Sequence, residues 1–332
     1  MCYAMNFNTL ISIVMSACND ADHVPITTES VLCQTEKDFE FIIVNDGSAD
    51  ERVESILEDY ASRDPRIRII HKTNEGLTRA LIDGCAVAKG EYIARIDVGD
   101  VMLPERLAKQ KAVLDKHQDV VLVSCWTECC GPEWEYLYTT KEKTFGTKEG
   151  SEWIANVISD QDHDDLIEGP SHHGSVMFRA DAYRDVGGYR AEFYYGQDWD
   201  LWYRLAEVGK FAGVQDVLYR CRIFPDGISM GNVKRQRAIH ACSRGAFLAR
   251  WRGEDETPFL EKAFEIRPKP AAGKKQKSIA KRSAGYYFIG ETLRKNRDPR
   301  CRGYLLNAIA IQPWNIKTWV RLVQSLFLRS MH

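Results

Sequence analysis

Four short apolar runs, separated by stretches of helical character, open this chain and limit what it can fold into. The runs are Leu10–Met15, Phe39–Val44, Ile67–His71 and Tyr92–Ile96. Helical patterns at about residues 25–34, 51–62 and 74–88 lie between them. Crossovers this short predict a parallel sheet with helices on both faces. The predicted fold class is therefore α/β, with a mostly parallel, Rossmann-like central sheet.

Polar side chains follow three of the predicted strands, at Asn19–Asp20, at Asn45–Asp46 and at Asp97 with Asp100. The carboxyl ends of parallel strands share one edge, where α/β folds bind ligands. Closely spaced carboxylates hold divalent metals through oxygen, and a capped turn with solvated acids is the alternative. No Gly-x-Gly-x-x-Gly follows the first run and no Gly-Lys-Ser or Gly-Lys-Thr loop occurs, which argues against dinucleotide dehydrogenases and P-loop NTPases.

Composition excludes several other classes. The 332 residues are 44% hydrophobic and 28% charged, which is typical of a soluble globular protein. A formal net charge of -2 argues against a dedicated nucleic-acid binder. No apolar run approaches the roughly 20 residues of a membrane span, and the first residues lack the features of a signal peptide, so we expect a cytoplasmic protein. The ten cysteines are scattered, and we expect buried, reduced thiols.

A series of short motifs runs through the chain from about residue 10 to residue 229. It comprises Asn19, Asp38–Asp50, Asn74–Leu77, Ala88–Ala94, Asp97, Asp100, Leu103–Leu107, Val176–Arg179, Val186–Tyr189 and Gln197–Trp202. In order and spacing the series resembles the inverting glycosyltransferases of family 2. The resemblance implies a GT-A fold over residues 1–230 and a role in polysaccharide biosynthesis. It implies that a sugar passes from a nucleoside diphosphate sugar, UDP-linked, to a hydroxyl of a glycan or other acceptor, with inversion.

The resemblance gives roles to four acids. Asp46 matches the acid that accepts a hydrogen bond from the uracil imide, with a turn residue bonded to its own backbone as the alternative. Asp97 and Asp100 match acids that hold Mn²⁺ or Mg²⁺ against the diphosphate, but Gly99 stands where a further acid is expected. Asp198 matches the general base that takes the acceptor's proton, and an acid capping the following helix is the alternative.

Four further residues complete the predicted donor site. Asn19 follows the first strand, and Lys72 and Arg79 could face the nucleotide base or phosphates, although solvated surface positions are equally expected. His173 is expected near the acceptor or the diphosphate, with an ordinary loop histidine as the alternative. Neighbouring Asp200 is expected to be a solvated or helix-capping acid.

Residues 231–332 are predicted to be a helical extension. Arg267–Arg282 is rich in lysine and arginine and contains two prolines, which favours a linker or a surface for anionic lipid. The helices after it are expected to pack on the catalytic domain or on another copy, giving a homo-oligomer, with peripheral membrane contact as the alternative. The rival functional hypothesis, motivated by Gly99, is a catalytically impaired sugar-nucleotide or glycan-binding protein. A nucleotidyltransferase would need a glycine-rich phosphate loop after the first strand.

Overall fold

The computed structural model describes residues 10–141, 147–149, 152–155, 169–170, 172–227, 233–267 and 279–327. The chain divides into two compact units. The first is drawn from Met1–Thr127, Lys141–Arg220 and Ile239–Arg267, and the second from Glu128–Thr140, Cys221–Ala238 and Pro268–His332. The predicted domain boundary after residue 230 lies outside the described residues and stays a prediction.

Strands and helices alternate only in the first part of the chain. The strands are β1 (Ile11–Ala17), β2 (Phe39–Asp46), β3 (Ile67–Lys72), β4 (Tyr92–Arg95), β5 (Val101–Met102), β6 (Val120–Cys130), β7 (Tyr136–Thr140), β8 (Thr147–Glu149), β9 (Glu152–Ala155), β10 (Met177–Arg179) and β11 (Lys210–Arg222). The helices are α1 (Val24–Leu32), α2 (Glu51–Arg63), α3 (Leu77–Ala86), α4 (Arg106–Lys116), α5 (Ala180–Asp185), α6 (Gln197–Val208), α7 (Val233–Trp251), α8 (Thr257–Glu265), α9 (Ile279–Lys295), α10 (Cys301–Ile311) and α11 (Ile316–Leu326).

The four predicted strands form the parallel part of the sheet, in the order β3-β2-β1-β4. Their side chains are almost all buried in β1, β2 and β4, because helices cover both faces of such a sheet. In register, Ala17 lies opposite Asn45, and Asp46 lies opposite Lys72. The carboxyl ends of these strands are therefore aligned along one edge.

Later strands extend this sheet and make it mixed. β10 pairs antiparallel with both β4 and β6, and β11 pairs antiparallel with β5 and β9. The full order is β3-β2-β1-β4-β10-β6-β11-β9-β8. Because β10 comes between β4 and β6, residues just before β10 are brought beside the end of β4.

Two helices begin later than the sequence pattern predicts. α3 begins at Leu77 rather than near Asn74, because the residues before it form a turn in which Gly76 has a φ of +92°. For α4, the fixed φ of Pro104 suits the first position of a helix and predicts a start there. The helix begins at Arg106 instead, since β5 and a turn come first. Both differences lie at the sheet edge.

The second unit contains the C-terminal helices α9, α10 and α11, in agreement with the predicted helical character of this segment. Its core is formed by Leu137, Ile289, Leu293 and Cys301. Most of the predicted basic stretch lies outside the described residues. None of the described helices is both long enough and apolar enough to cross a membrane. The described cysteines form no disulfide bond with one another; most of them are buried, and Cys33 is exposed.

Candidate active site

The order of the strands in the sheet places the predicted polar residues side by side along its carboxyl edge. Lys72 ends β3, Asp46 ends β2, Asn19 follows β1, and Asp97 follows β4. Neighbouring strands lie roughly 4.8 Å apart, so the ends of β2 and β4 are separated by about 10 Å. The edge therefore carries two groups of side chains, one around Asp46 and one around Asp97.

Asp46 is almost fully buried and fixes the turn that precedes α3. Its Oδ1 accepts the N–H of Glu75 at 2.9 Å, and its Oδ2 accepts the N–H of Gly76 at 2.8 Å. Asn74 Nδ2 donates to the Asp46 carbonyl at 2.8 Å. A Cβ on Gly76 would lie 2.6 Å from the ring of Tyr194, so this close packing requires glycine. Asp46 thus bonds to the backbone of a distant turn rather than of its own, and its contact with uracil stays a prediction.

Asn19 joins β1 to the turn that precedes α2. Its Oδ1 accepts the N–H groups of Ala49 at 2.7 Å and Asp50 at 3.1 Å, and its own N–H donates to Ser48 Oγ at 3.0 Å. Its φ of +60° is a conformation that asparagine adopts more readily than most residues. The observed role of the Asn19 side chain is to hold this turn.

The resemblance to family 2 glycosyltransferases implies an additional acid at position 45, where this chain has Asn45. Its Oδ1 accepts the Ser48 hydroxyl at 2.6 Å, and its Nδ2 lies 3.2 Å from Nδ1 of His71. His71 Nε2 in turn lies 2.9 Å from Glu58. An ionised carboxylate has no N–H for the histidine, so the amide supplies a donor that aspartate lacks.

The backbone from Asp97 to Asp100 forms a tight turn. The Asp100 N–H donates to the Asp97 carbonyl at 3.2 Å, and Gly99, with a φ of +92°, takes the third position, as in a type II turn. Thr27 Oγ accepts the Gly99 N–H at 2.8 Å and donates to the Asp100 carbonyl at 2.9 Å. Glycine adopts this conformation without strain, which explains its presence where an acid was expected.

Arg95 is a fully buried cation behind Asp97. Its Nη2 donates to Oδ1 of Asp97 at 2.8 Å, and its Nη1 donates to the carbonyls of Ile96, at 3.2 Å, and of Val14. The Asp97 side chain is 41% exposed, and within the described part of the chain its Oδ2 accepts no hydrogen bond. One carboxylate oxygen is therefore anchored while the other is available.

Tyr219 on β11 connects the two acids of this turn. Its hydroxyl accepts the Asp97 N–H at 3.2 Å and donates to Oδ2 of Asp100 at 2.8 Å. Burial, reinforced by the carboxylates of Asp100 and Asp97, holds the pKa of Tyr219 well above its usual range, so the hydroxyl stays protonated. A Cβ on Gly174 would lie 2.0 Å from this hydroxyl and 3.1 Å from Asp97 Oδ2. The Gly174 turn therefore lies directly against the acids.

His173 and Asp198 come from different elements and join Asp97. His173 Nε2 lies 2.6 Å from the Tyr189 hydroxyl, and burial, with the charge of Arg95, lowers the pKa of His173 to about 3. Asp198, in the first turn of α6, accepts the Trp199 N–H at 3.0 Å. Burial raises the pKa of Asp198, and the negative charge of Asp97 raises it further. His173 is thus neutral, and Asp97 lies close enough to Asp198 for its charge to contribute to the raised pKa of Asp198.

The predicted cations are not part of this group. Lys72 forms ion pairs with Asp83 and, at 2.7 Å, with Glu75. Burial disfavours its ammonium, but these hydrogen bonds outweigh burial and raise the pKa of Lys72. Arg79 is exposed on α3 and has no hydrogen bond or ion pair among the described residues. Contact of either side chain with a nucleotide stays a prediction.

One expectation about the neighbouring acid is wrong. Asp200 is 1% exposed rather than solvated, because Arg190 and Arg204 both donate to its carboxylate. Sequence reasoning also missed Arg95 and Tyr219. A charged residue inside an otherwise apolar strand was a signal for Arg95, whereas nothing in the sequence connects residue 219 with the Asp97 turn.

The oxygen donors of Asp97 and Asp100 fit a hard divalent cation. Mn²⁺ and Mg²⁺ are held by carboxylates together with water and substrate phosphates, so two protein carboxylates can suffice. The available Oδ2 of Asp97 supports this match. Gly99 itself offers no side chain to a metal, but the turn still contains the two acids Asp97 and Asp100.

Residues 12–187 match the sequence profile of Glycosyl transferase family 2. The putative glycosyltransferase EpsE of Bacillus subtilis is 33% identical over 224 residues, covering 66% of this chain and 74% of that protein. The chondroitin synthase of Pasteurella multocida is 30% identical over 235 residues, covering 70% of this chain but 22% of the synthase.

Two solved structures share the fold. TarS of S. aureus in complex with UDP has a TM-score of 0.51 at 15% identity, covering 96% of this chain and 90% of that one. The mannosyltransferase PcManGT of Pyrobaculum calidifontis, in complex with GDP-Man and Mn²⁺, has a TM-score of 0.52 at 13% identity, covering 97% and 87%. These similarities confirm the predicted GT-A fold. Because the profile match spans more than half of the chain, the protein is a glycosyltransferase and belongs to glycosyltransferase family 2.

Proposed function

We propose that this glycosyltransferase moves a sugar from a nucleoside diphosphate sugar, UDP-linked, to an acceptor hydroxyl with inversion, using Asp198 as the general base. The observation that supports this most is the approach of Asp198 to Asp97. The two carboxylates come from α6 and from the end of β4, yet the charge of Asp97 acts on Asp198 and contributes to its raised pKa. This arrangement supports Asp198 as a proton acceptor next to the acids that would hold the metal of the diphosphate.

Each end of the proposed donor has suitable groups along the sheet edge. Asp97 and Asp100 would hold Mn²⁺ or Mg²⁺, which neutralises charge on the departing nucleoside diphosphate. Neutral His173 can donate to or accept from an uncharged hydroxyl or a phosphate oxygen. The roughly 10 Å between the Asp46 and Asp97 ends suits an extended ligand with a base at one end and a diphosphate at the other.

Asp198 would act on the acceptor. In an inverting displacement the attacking hydroxyl loses its proton as its oxygen bonds to the anomeric carbon, and the diphosphate leaves from the opposite face. A carboxylate with a raised pKa is a stronger base than an exposed aspartate, and it must be ionised to take the proton. Asp46, Asn19, Lys72 and Arg79 are proposed to act at the nucleotide end, directly or through the turns that they hold.

A second candidate is a sugar-nucleotide or glycan-binding protein of the same fold with impaired turnover. Gly99 favours it, because this position supplies no carboxylate to a metal. The two candidates differ in one measurable property, the release of nucleoside diphosphate.

The test measures donor binding and product release separately. A panel of nucleoside diphosphate sugars is screened by thermal shift with and without Mn²⁺, because a ligand stabilises the state that it binds. Release of nucleoside diphosphate is then compared among the wild-type chain, Asp198→Asn and Asp59→Asn, an acid on α2 that is 63% exposed. We expect Asp198→Asn to keep donor binding and lose turnover while Asp59→Asn keeps both. Full turnover in Asp198→Asn would reject this base, and binding without release by the wild-type chain would support the second candidate.

A further inference from the structure

Helix α11 presents an apolar stripe to solvent. Six large apolar side chains recur at the spacing of one helix face and are all at least 45% exposed: Ile316, Trp319, Val320, Val323, Leu326 and Phe327. Trp314, just before the helix, is 74% exposed. A contiguous stripe of this kind is uncommon on a surface that faces only water.

The opposite, polar face of α11 is the one that attaches the helix to its unit. Thr318 and Ser325 are 1% and 0% exposed. Arg302 on α10 donates to the Ser325 carbonyl at 3.0 Å, and Arg321 lies 3.5 Å from Glu291 on α9. The helix is therefore held by its small and charged residues, and the apolar stripe takes no part in holding it. The predicted packing of the C-terminal helices on the catalytic domain or on another copy stays a prediction.

Charge is distributed very unevenly along the chain. Residues 267–332 contain 15 lysines and arginines but only two acids, Glu291 and Asp298, whereas the chain as a whole has a net charge of -2. No acid occurs after residue 298. The apolar stripe is therefore part of a strongly basic segment.

We propose that α11 docks the protein on a bilayer that contains anionic lipid, with its apolar stripe at the boundary between headgroups and acyl chains. Tryptophan is favoured at this depth, and basic side chains beside an apolar helix face are attracted to anionic headgroups. A second copy of the chain is a poorer partner, because it would bring two strongly basic segments together. This inference goes beyond the proposed function, which needs no membrane.

The test is co-sedimentation of the full-length protein with vesicles. We expect binding to phosphatidylcholine vesicles that contain about 30% phosphatidylglycerol, and binding weaker by roughly tenfold to phosphatidylcholine alone or at about 0.5 M salt. Val323→Glu removes apolar area from the stripe and adds a negative charge. Its matched control is Val208→Glu on α6, since the two valines are 52% and 53% exposed.

We expect Val323→Glu to lower binding by roughly tenfold or more and Val208→Glu to leave it unchanged. Phe327→Ser, which truncates an 80% exposed side chain after the end of α11, gives a second variant with no added charge and little risk of misfolding. Equal binding by all variants would overturn the proposal, as would failure of the wild-type chain to bind anionic vesicles. So would a dimer in light scattering that Val323→Glu dissociates, because a second copy would then cover the stripe.

Discussion

Replacing Tyr219 with phenylalanine tests how the Asp97 turn is held. The substitution keeps the buried ring and removes one hydroxyl, which accepts the Asp97 N–H at 3.2 Å and donates to Asp100 at 2.8 Å. A hydrogen bond to a carboxylate contributes about 1.5–3 kcal/mol and a neutral one about 0.5–1.5 kcal/mol. Asp100 is partly exposed, so the lower part of the first range applies. The expected loss in free energy of unfolding is about 2–3 kcal/mol.

Removal of the Tyr219 hydroxyl should also weaken metal binding at the proposed site. Residues that orient metal ligands typically change metal affinity or activity by about 10- to 100-fold. We therefore expect Tyr219→Phe to raise the Mn²⁺ concentration needed for half-maximal donor binding by at least about tenfold. Urea unfolding measures the loss in free energy of unfolding. A thermal-shift titration of Mn²⁺ at a fixed donor concentration measures the change in Mn²⁺ dependence.

Tyr203→Phe is the matched control, because Tyr203 is equally buried and its hydroxyl has one long contact, 3.4 Å to His240. Its expected stability loss is below about 1 kcal/mol, with no change in Mn²⁺ dependence. If Tyr219→Phe matched Tyr203→Phe in both measurements, the hydroxyl would not hold the turn. A stability loss without a change in Mn²⁺ dependence would mean that Asp97 and Asp100 are not metal ligands.

Three further outcomes follow from the same group of residues. Burial lowers the pKa of His173 in the folded chain to about 3, so as pH falls through 6.5 the unfolded chain binds a proton that the folded chain does not. Between pH 7 and 5 the free energy of unfolding, measured with urea, should therefore fall by about 1–2 kcal/mol more in the wild-type chain than in His173→Asn. Gly174→Ala should cost about 1–3 kcal/mol by displacing Tyr219, and less in a Tyr219→Phe background; equal costs in both would refute the steric reading. Burial raises the pKa of Asp198 in the folded chain, so the protonated carboxyl stabilises the fold below an ordinary carboxyl pKa and this contribution is lost as pH rises. Asp198→Asn should therefore melt at a higher temperature than the wild-type chain at about pH 8 and at the same temperature at about pH 3.

The sequence by itself determined the parallel half of the sheet and the acids at its edge. Buried parallel strands need continuous apolar runs, and short crossovers leave few topologies, so β1 to β4 and the positions of Asp46 and Asp97 follow from local pattern. The family motifs added Asp198 and His173. The place of His173 beside the Asp97 turn depends on β10 inserting antiparallel next to β4.

Only the tertiary structure decided which groups form hydrogen bonds and ion pairs with those acids. Tyr219 lies 122 residues from Asp97 and reaches it because β11 pairs with β5, a non-local contact that no periodicity encodes. The same holds for Asp200, whose burial depends on Arg190 and Arg204. For α11, the sequence shows that one face is apolar, but it cannot show which face packs against the protein. The structure buries the polar face, where Arg302 donates to the Ser325 carbonyl and Arg321 lies beside Glu291, and leaves the apolar face exposed.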